Sequence, residues 1–148
     1  MRAVHTAISV GGAASGRVRQ EWDDAVSLVK AADRWGVDFV WSAEAWGQDA
    51  VVPLAYLAAV TERIKLASGI MQVSARAPVM TAMTALTLAT VSGDRFVLGL
   101  GVSGPQVVEG LHGVAFDHPL ARLREHLAIV RLAFAGLFRP PNSTTLSP

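Results

Sequence analysis

The segment from Arg95 to Gly110, RFVLGLGVSGPQVVEG, carries an apolar strand pattern straight into a glycine-studded turn, the arrangement that lets a small molecule lie against bare main chain. Phe96 to Leu100 is short, uninterrupted and apolar, as a strand covered on both faces must be. Gly99, Gly101, Ser103, Gly104 and Pro105 follow within seven positions, and glycine allows close backbone approach. Gly99, Gly101 and Gly104 also satisfy G-x-G-x-x-G, the dinucleotide fingerprint. That fingerprint needs a helix opening on the second glycine and an acidic residue about 20 positions on, at a strand end. Pro105 and Gly110 stand where the helix should run, and Asp117 precedes a helix. The spacing therefore speaks against a dinucleotide and leaves a ligand-holding turn or a tight turn that binds nothing.

Other chemistries find little support in the sequence. Cysteine is absent, which removes disulfides, thiolate metal sites and a catalytic thiol, and gives no reason for an oxidising compartment, so cytoplasm is the default. His112, His118 and His126 lack metal-ligand spacing, and no metal site is expected. His5, in the first strand, is placed to be a packed histidine or to face a barrel mouth. Thirteen basic against twelve acidic residues give a net charge of +1 with no basic stripe, so nucleic acid is not an expected partner. The N-terminus faintly resembles a signal peptide, but His5 and Thr6 interrupt its apolar run and a first strand fits better. The uncharged run between Arg76 and Asp94 is diluted by Pro78, threonines and Ser92, so a helix buried on most sides explains it better than a membrane span.

The elements that must position these residues follow a rhythm. At 148 residues and 51% hydrophobic, the chain can bury one substantial core. Ala3 to Val10 reads as a strand, with a loop over Gly11 to Gly16. Trp22, Ala25, Val26, Leu28, Val29, Ala32 and Trp35 fall at helical spacing, ended by Gly36. Val37 to Ser42 reads as a second strand, and Asp49 can cap a helix over Val51 to Thr61. Ile64 to Val73 is a third strand, followed by a helix from Pro78 to Val91. After the fourth strand, Phe96 to Leu100, and its loop, Pro119 opens a last helix that Gly136 ends. Four βα units in parallel order result, half of a (β/α)₈ barrel that needs about 250 residues. Residues 138–148 have neither periodicity and are expected to be an irregular tail.

Read together, the third and fourth units resemble a known family. TERIKLASGIMQVSARAPVMTAMTALTLATVSGDRFVLGLGVSGPQVVEGLHG is similar to the corresponding part of the luciferase-like monooxygenase superfamily, and most to its coenzyme F420 (deazaflavin)-dependent oxidoreductases. The likeness runs from about Arg17 to Arg131, and SGIMQVSARAP and GLGVSGPQVVEG are its most specific parts. It implies a luciferase-like TIM barrel, of which residues 1–137 are the N-terminal (βα)4 half, and hydride transfer between the deazaflavin and an organic small-molecule substrate. It places Ser68, Gly69 and Ile70 at a bulge with a non-proline cis peptide behind the ring. By the same resemblance Ser103, Gly104, Pro105 and Gln106 lie beside the ring and ribityl chain, and Glu44 and Asp49 face ring or substrate. Glu44 is the candidate proton relay; Asp49 is equally a helix cap. Trp41 and Trp46 flank that loop as pocket walls or core.

The sequence departs from the family at Leu111, where an aromatic is expected, and at Asp94, where the turn calls for a second glycine. The resemblance also implies that the cofactor phosphate is gripped by later βα units, which this sequence does not supply. Open sheet edges would need covering, so a homo-oligomer or a complementing second half-barrel is the expected protein partner. Two further readings stand beside the oxidoreductase: a non-catalytic half-barrel assembly module, and the same fold with FMN in place of the deazaflavin.

Overall fold

The computed structural model describes residues 4–10, 19–44 and 46–136. The expected loop over Gly11 to Gly16 and the expected tail from residue 138 lie outside the described residues. The chain runs β1 (Ala7–Val10), α1 (Arg19–Trp35), β2 (Phe39–Ser42), α2 (Val51–Val60), β3 (Lys65–Ser68), β4 (Met71–Gln72), a 3-10 turn (Val73–Ala75), α3 (Pro78–Ser92), β5 (Phe96–Val97), β6 (Leu100–Gly101), α4 (Pro105–Val108) and α5 (Pro119–Phe134). The main sheet has the order β1-β2-β3-β5, all parallel. This is the parallel (βα)4 half of a barrel that the alternation of strands and helices predicts.

Two strands read as continuous are each broken in the middle. The third splits into β3 and β4 around Gly69 and Ile70, whose peptide bond is cis. The fourth splits into β5 and β6 around Leu98 and Gly99, and β4 pairs with β6 through Met71↔Leu100 and Gln72↔Gly101. The first break is the bulge with a non-proline cis peptide that the resemblance implies at Ser68, Gly69 and Ile70; the second lies in an apolar run whose periodicity carries no signal for it. The short helix α4 also falls where the sequence reads as loop.

Because side chains alternate along a strand, the sheet has two distinct faces. Ile8, Val10, Val40, Leu66 and Phe96 meet Val29 and Ala32 of α1 and Leu54, Leu57 and Ala58 of α2 in one apolar core. On the other face Ser9, Trp41, Ala67 and Val97 line up in register across all four strands. Ser9 and Val97 of that row are exposed.

Helix faces differ from the sequence reading in two places. Leu28 and Trp35, counted with the core stripe of α1, are 50% and 74% exposed; Leu28 lies about 100° round the helix from its buried neighbour Val29. In α3, expected to be buried on most sides, Thr81, Ala82, Ala85 and Leu88 are buried while Val79, Met80, Met83, Leu86 and Val91 stand exposed. An apolar residue on every face left the periodicity unable to say which face was inward.

The amino ends of the strands are tied by polar groups. Asp33, buried at the end of α1, accepts hydrogen bonds from the backbone N–H groups of Glu62, Arg63 and Ile64. Arg95 donates to the carbonyls of Ala58, Thr61 and Ile64, satisfying acceptors where α2 gives way to β3. His5 lies at this same end, 3.5 Å from Asp38 and edge-on to Phe39. It therefore does not face the mouth at the opposite end of the strands.

Candidate active site at the carboxyl ends of the strands

Because β1 to β6 run parallel, the loops that follow β2, β4 and β6 open on one side of the sheet. Glu44 lies two residues past β2. Its carboxylate takes a fork of two bonds from Arg76, Nη1 to Oε2 and Nη2 to Oε1, each 2.5 Å. It also accepts the backbone N–H of Gln72 at 2.8 Å and, at 3.4 Å, that of Ala50. The side chains of Glu44 and Arg76 are only 7% and 18% exposed. A carboxylate offers about four lone-pair directions, and all are taken. Any proton relay through Glu44 would first have to break this clamp.

Gln72 completes the connection. Its Nε2 donates to the Glu44 backbone carbonyl at 3.0 Å, and the side chain is almost wholly buried, with Oε1 lacking a donor. Glu44, Gln72 and Arg76 thus bind the β2–α2 loop to the β4–α3 turn. Asp49 sits on the same loop, where Oδ1 accepts the N–H groups of Val51 at 2.7 Å and Val52 at 2.8 Å. That is a cap on two of the free donors of the first turn of α2.

Ser68 closes β3 and is buried. Its hydroxyl donates to the Gly99 carbonyl and accepts the Gly99 N–H, both at 2.9 Å. Position 99 admits only glycine at this closeness, since a Cβ there would fall 2.1 Å from the Ser68 carbonyl oxygen. Gly69 donates its N–H to the Ser42 carbonyl at 2.8 Å and rests over Trp41, whose ring stacks on Phe39. Ile70 is half-buried beside Gly101, where a Cβ would come within 2.9 Å of Ile70 Cγ1. Ser42, in register with Ser68, is buried with an unpartnered Oγ.

Ser103 has φ 58°, turning the chain out of β6, and Pro105 opens α4. The Gly104 carbonyl accepts the N–H groups of Val107 and Val108. Gln106 is exposed, and its backbone carbonyl packs against Gly110 beside Trp46, itself 53% exposed. His112 lines one pocket with Glu44, Gln72 and Arg76, whereas His126 is buried between α5 and α3 with Nε2 3.0 Å from Thr81 Oγ1.

The structure therefore brings two groups of sequence-singled residues to one end of the sheet. Ser68, Gly69 and Ile70 meet the β5–β6 segment directly, and Glu44 and Asp49 share a pocket wall. The residues that sequence reasoning missed are Gln72 and Arg76. One signal was present: Arg76 is the only charged residue between Lys65 and Asp94, and a lone cation in an apolar stretch needs a partner.

These surfaces fit one part of a flavin-like group. Ile70 against the bare backbone of Gly101 offers an apolar floor, suited to a planar ring. A phosphate is not fitted here, because Arg76 is already committed to Glu44.

Comparison with known proteins agrees with the architecture. The family model described as luciferase-like monooxygenase matches residues 1–146. A Mycobacterium tuberculosis protein named as a putative coenzyme F420-dependent oxidoreductase, Rv3520c, is 55% identical over 108 residues, 73% of this chain and 31% of that protein. Among solved structures, the monooxygenase RslO1 from Streptomyces bottropensis superposes with a TM-score of 0.79 at 24% identity, covering 89% of this chain and 43% of that one. The oxygenating constituent of 3,6-diketocamphane monooxygenase from Pseudomonas putida, solved with FMN, gives 0.78 at 21% identity, over 89% and 40%. The chain thus spans between about a third and two-fifths of the length of these relatives.

Proposed function

Because the chain belongs to the luciferase-like monooxygenase family, we propose that it forms the ring-binding wall of a coenzyme F420-dependent oxidoreductase, with residues 1–137 as the first half of its barrel. The observation that carries this reading is the 55% identity to a relative named for that cofactor, far above the identity to the FMN-bound structure, whose likeness is one of fold. When bound, the deazaflavin supplies hydride transfer at its ring, to or from an organic substrate.

The chain's own residues supply position. Ser68 and Gly99 lock β3 to the β5–β6 segment, so Gly69 and Ile70 are held as a fixed floor behind the ring. Ser103, Gly104, Pro105 and Gln106 form the rim beside the ring and its ribityl chain. Glu44 acts as a positioning residue, holding Arg76 and Gln72 in place, rather than as the relay that the sequence suggested. Asp49 fixes the start of α2 and presents its carboxyl group to the same pocket.

The proposal extends to partners and location. The row Ser9, Trp41, Ala67 and Val97, exposed at its two end residues, with β1 and β5 at the sheet edges, suits a complementing second half-barrel. The exposed apolar stripe of α3 lies on a middle helix, between α2 and α5, out of reach of that half, and neither α2 nor α3 carries a charge. A second copy of the chain can pack there without like charges meeting. No helix among the described residues is long and apolar enough to cross a membrane; a cysteine-free chain suits the cytoplasm.

Fluorescence titration of the purified chain with F420 and with FMN tests the reading. Saturable binding that is tighter for F420 is expected. Tighter binding of FMN would transfer the site to flavin chemistry, and no binding of either at millimolar concentration would remove the cofactor role from this chain.

A further inference from the structure

Two pockets share the wall Gly47, Gln48 and Asp49. One is otherwise lined by Trp22, Val52, Pro53 and Tyr56, with the Trp22 and Tyr56 rings meeting edge to face 5.5 Å apart. The other is lined by Glu44, Gln72, Arg76 and His112. The two adjoin along that wall, the first mostly apolar and the second polar, as the two halves of a groove would.

The polar end has a definite hydrogen-bonding character. Gln72 donates from Nε2 to the Glu44 carbonyl, an oxygen that can only accept, so the amide orientation is fixed and Oε1 must be the free acceptor. Gln48 Oε1 is likewise buried without a donor. Two unpartnered carbonyl oxygens in one pocket are unusual, since buried polar groups are as a rule hydrogen-bonded. The neighbouring charges do not supply the donor: Arg76 and Glu44 neutralise one another, and Asp49 adds only negative charge. An anion placed against the two amide oxygens would meet acceptors, with Asp49 beside them and the ring of His112 a further side-chain donor on the pocket's lining.

We propose that this groove takes a substrate with an apolar, ring-sized body against Trp22 and Tyr56 and a hydrogen-bond-donating head, an N–H or O–H group, at Gln48 and Gln72. This deepens the oxidoreductase reading by naming its substrate class and rests on it for the word substrate, but the site itself is testable without any cofactor.

The matched probes are benzamide and benzoate, equal in shape and opposite in the property at issue. The chain, labelled with ¹⁵N, is titrated with each while the side-chain amide signals of Gln48 and Gln72 are followed by NMR. Benzamide is expected to shift both saturably and benzoate to leave them in place. Gln48→Met, which touches none of the Glu44 clamp, should weaken benzamide by about fivefold, the loss expected for one neutral hydrogen bond; Gln72→Met is read alongside it where its spectrum remains dispersed. Equal shifts with benzoate, no shift with benzamide, or benzamide affinity unchanged in Gln48→Met would overturn the proposal. F420 titration of the same samples separates the two readings: a silent benzamide with intact F420 binding removes only the groove, and the reverse removes only the cofactor.

Discussion

Asp94 follows the left-handed Gly93 and is itself left-handed, with φ 61°. The sequence flags this position as one where glycine is expected, and the backbone shows why: two successive residues must turn through a region that penalises a side chain. Asp94→Gly should stabilise the chain by roughly 0.5–1 kcal/mol in urea melts, the relief of that penalty less the extra freedom glycine has when unfolded. Asp33 makes the opposite case, a side chain the fold depends on. Burial alone would raise its carboxyl group's proton affinity, but the three backbone N–H groups and Arg63 outweigh burial and hold it below the usual aspartate range. A folded pKa below the unfolded one adds stability above the unfolded value and loses it as pH falls through the folded one. Melts of the native chain should therefore weaken as pH drops below about 4, and Asp33→Asn should cost about 2 kcal/mol at neutral pH while flattening that acid-side slope. An unchanged slope in the variant would assign the acid sensitivity elsewhere.

At the scale of elements, the site depends on the two broken strands being bolted together. The bolt is the pair of hydrogen bonds between Ser68 and Gly99. Gly99→Ala would drive a methyl group into the Ser68 carbonyl and should cost about 2–3 kcal/mol, measurable as a lower denaturation midpoint; a neutral result would mean that β5 and β6 shift freely. The βα rhythm and the helix-opening Pro78 and Pro119 were legible in the sequence because periodicity and φ-restriction are local properties. The break at Gly69 and Ile70 was legible only through the family resemblance, which places a cis-peptide bulge there; the break at Leu98 and Gly99 was not, since its cause is the contact with Ser68 on the neighbouring strand. The Glu44–Arg76 clamp was half legible: the sequence singles out Glu44 by its place and exposes Arg76 as an isolated charge, but a contact spanning 32 positions leaves no local trace. The exposed face of α3 was misread for a related reason, as apolar residues all round a helix do not say which of them the sheet will cover; on the amphipathic α1, Leu28 and Trp35 lie outside the stripe that is buried.

At the scale of the molecule, the chain is four βα units with strands β1 and β5 at the sheet edges and an uncharged, exposed apolar stripe on α3. These are two different surfaces, and the proposal gives each its own occupant. Met83→Glu places a charge in the α3 stripe and should convert a dimer to monomer in sedimentation velocity without lowering the melting temperature; a monomer in both proteins would contradict a second copy on that face. The central claim is that the floor at Gly69 and Ile70 and the rim from Ser103 to Gln106 hold a deazaflavin ring. Its most direct test is to titrate the ¹⁵N-labelled chain with a deazaflavin riboside, which lacks the phosphate these residues do not fit, and to map the backbone amides that move. Shifts concentrated at Ser68 to Met71 and Val102 to Gln106 are the predicted result. Shifts that miss both segments, or none at millimolar riboside, would contradict it.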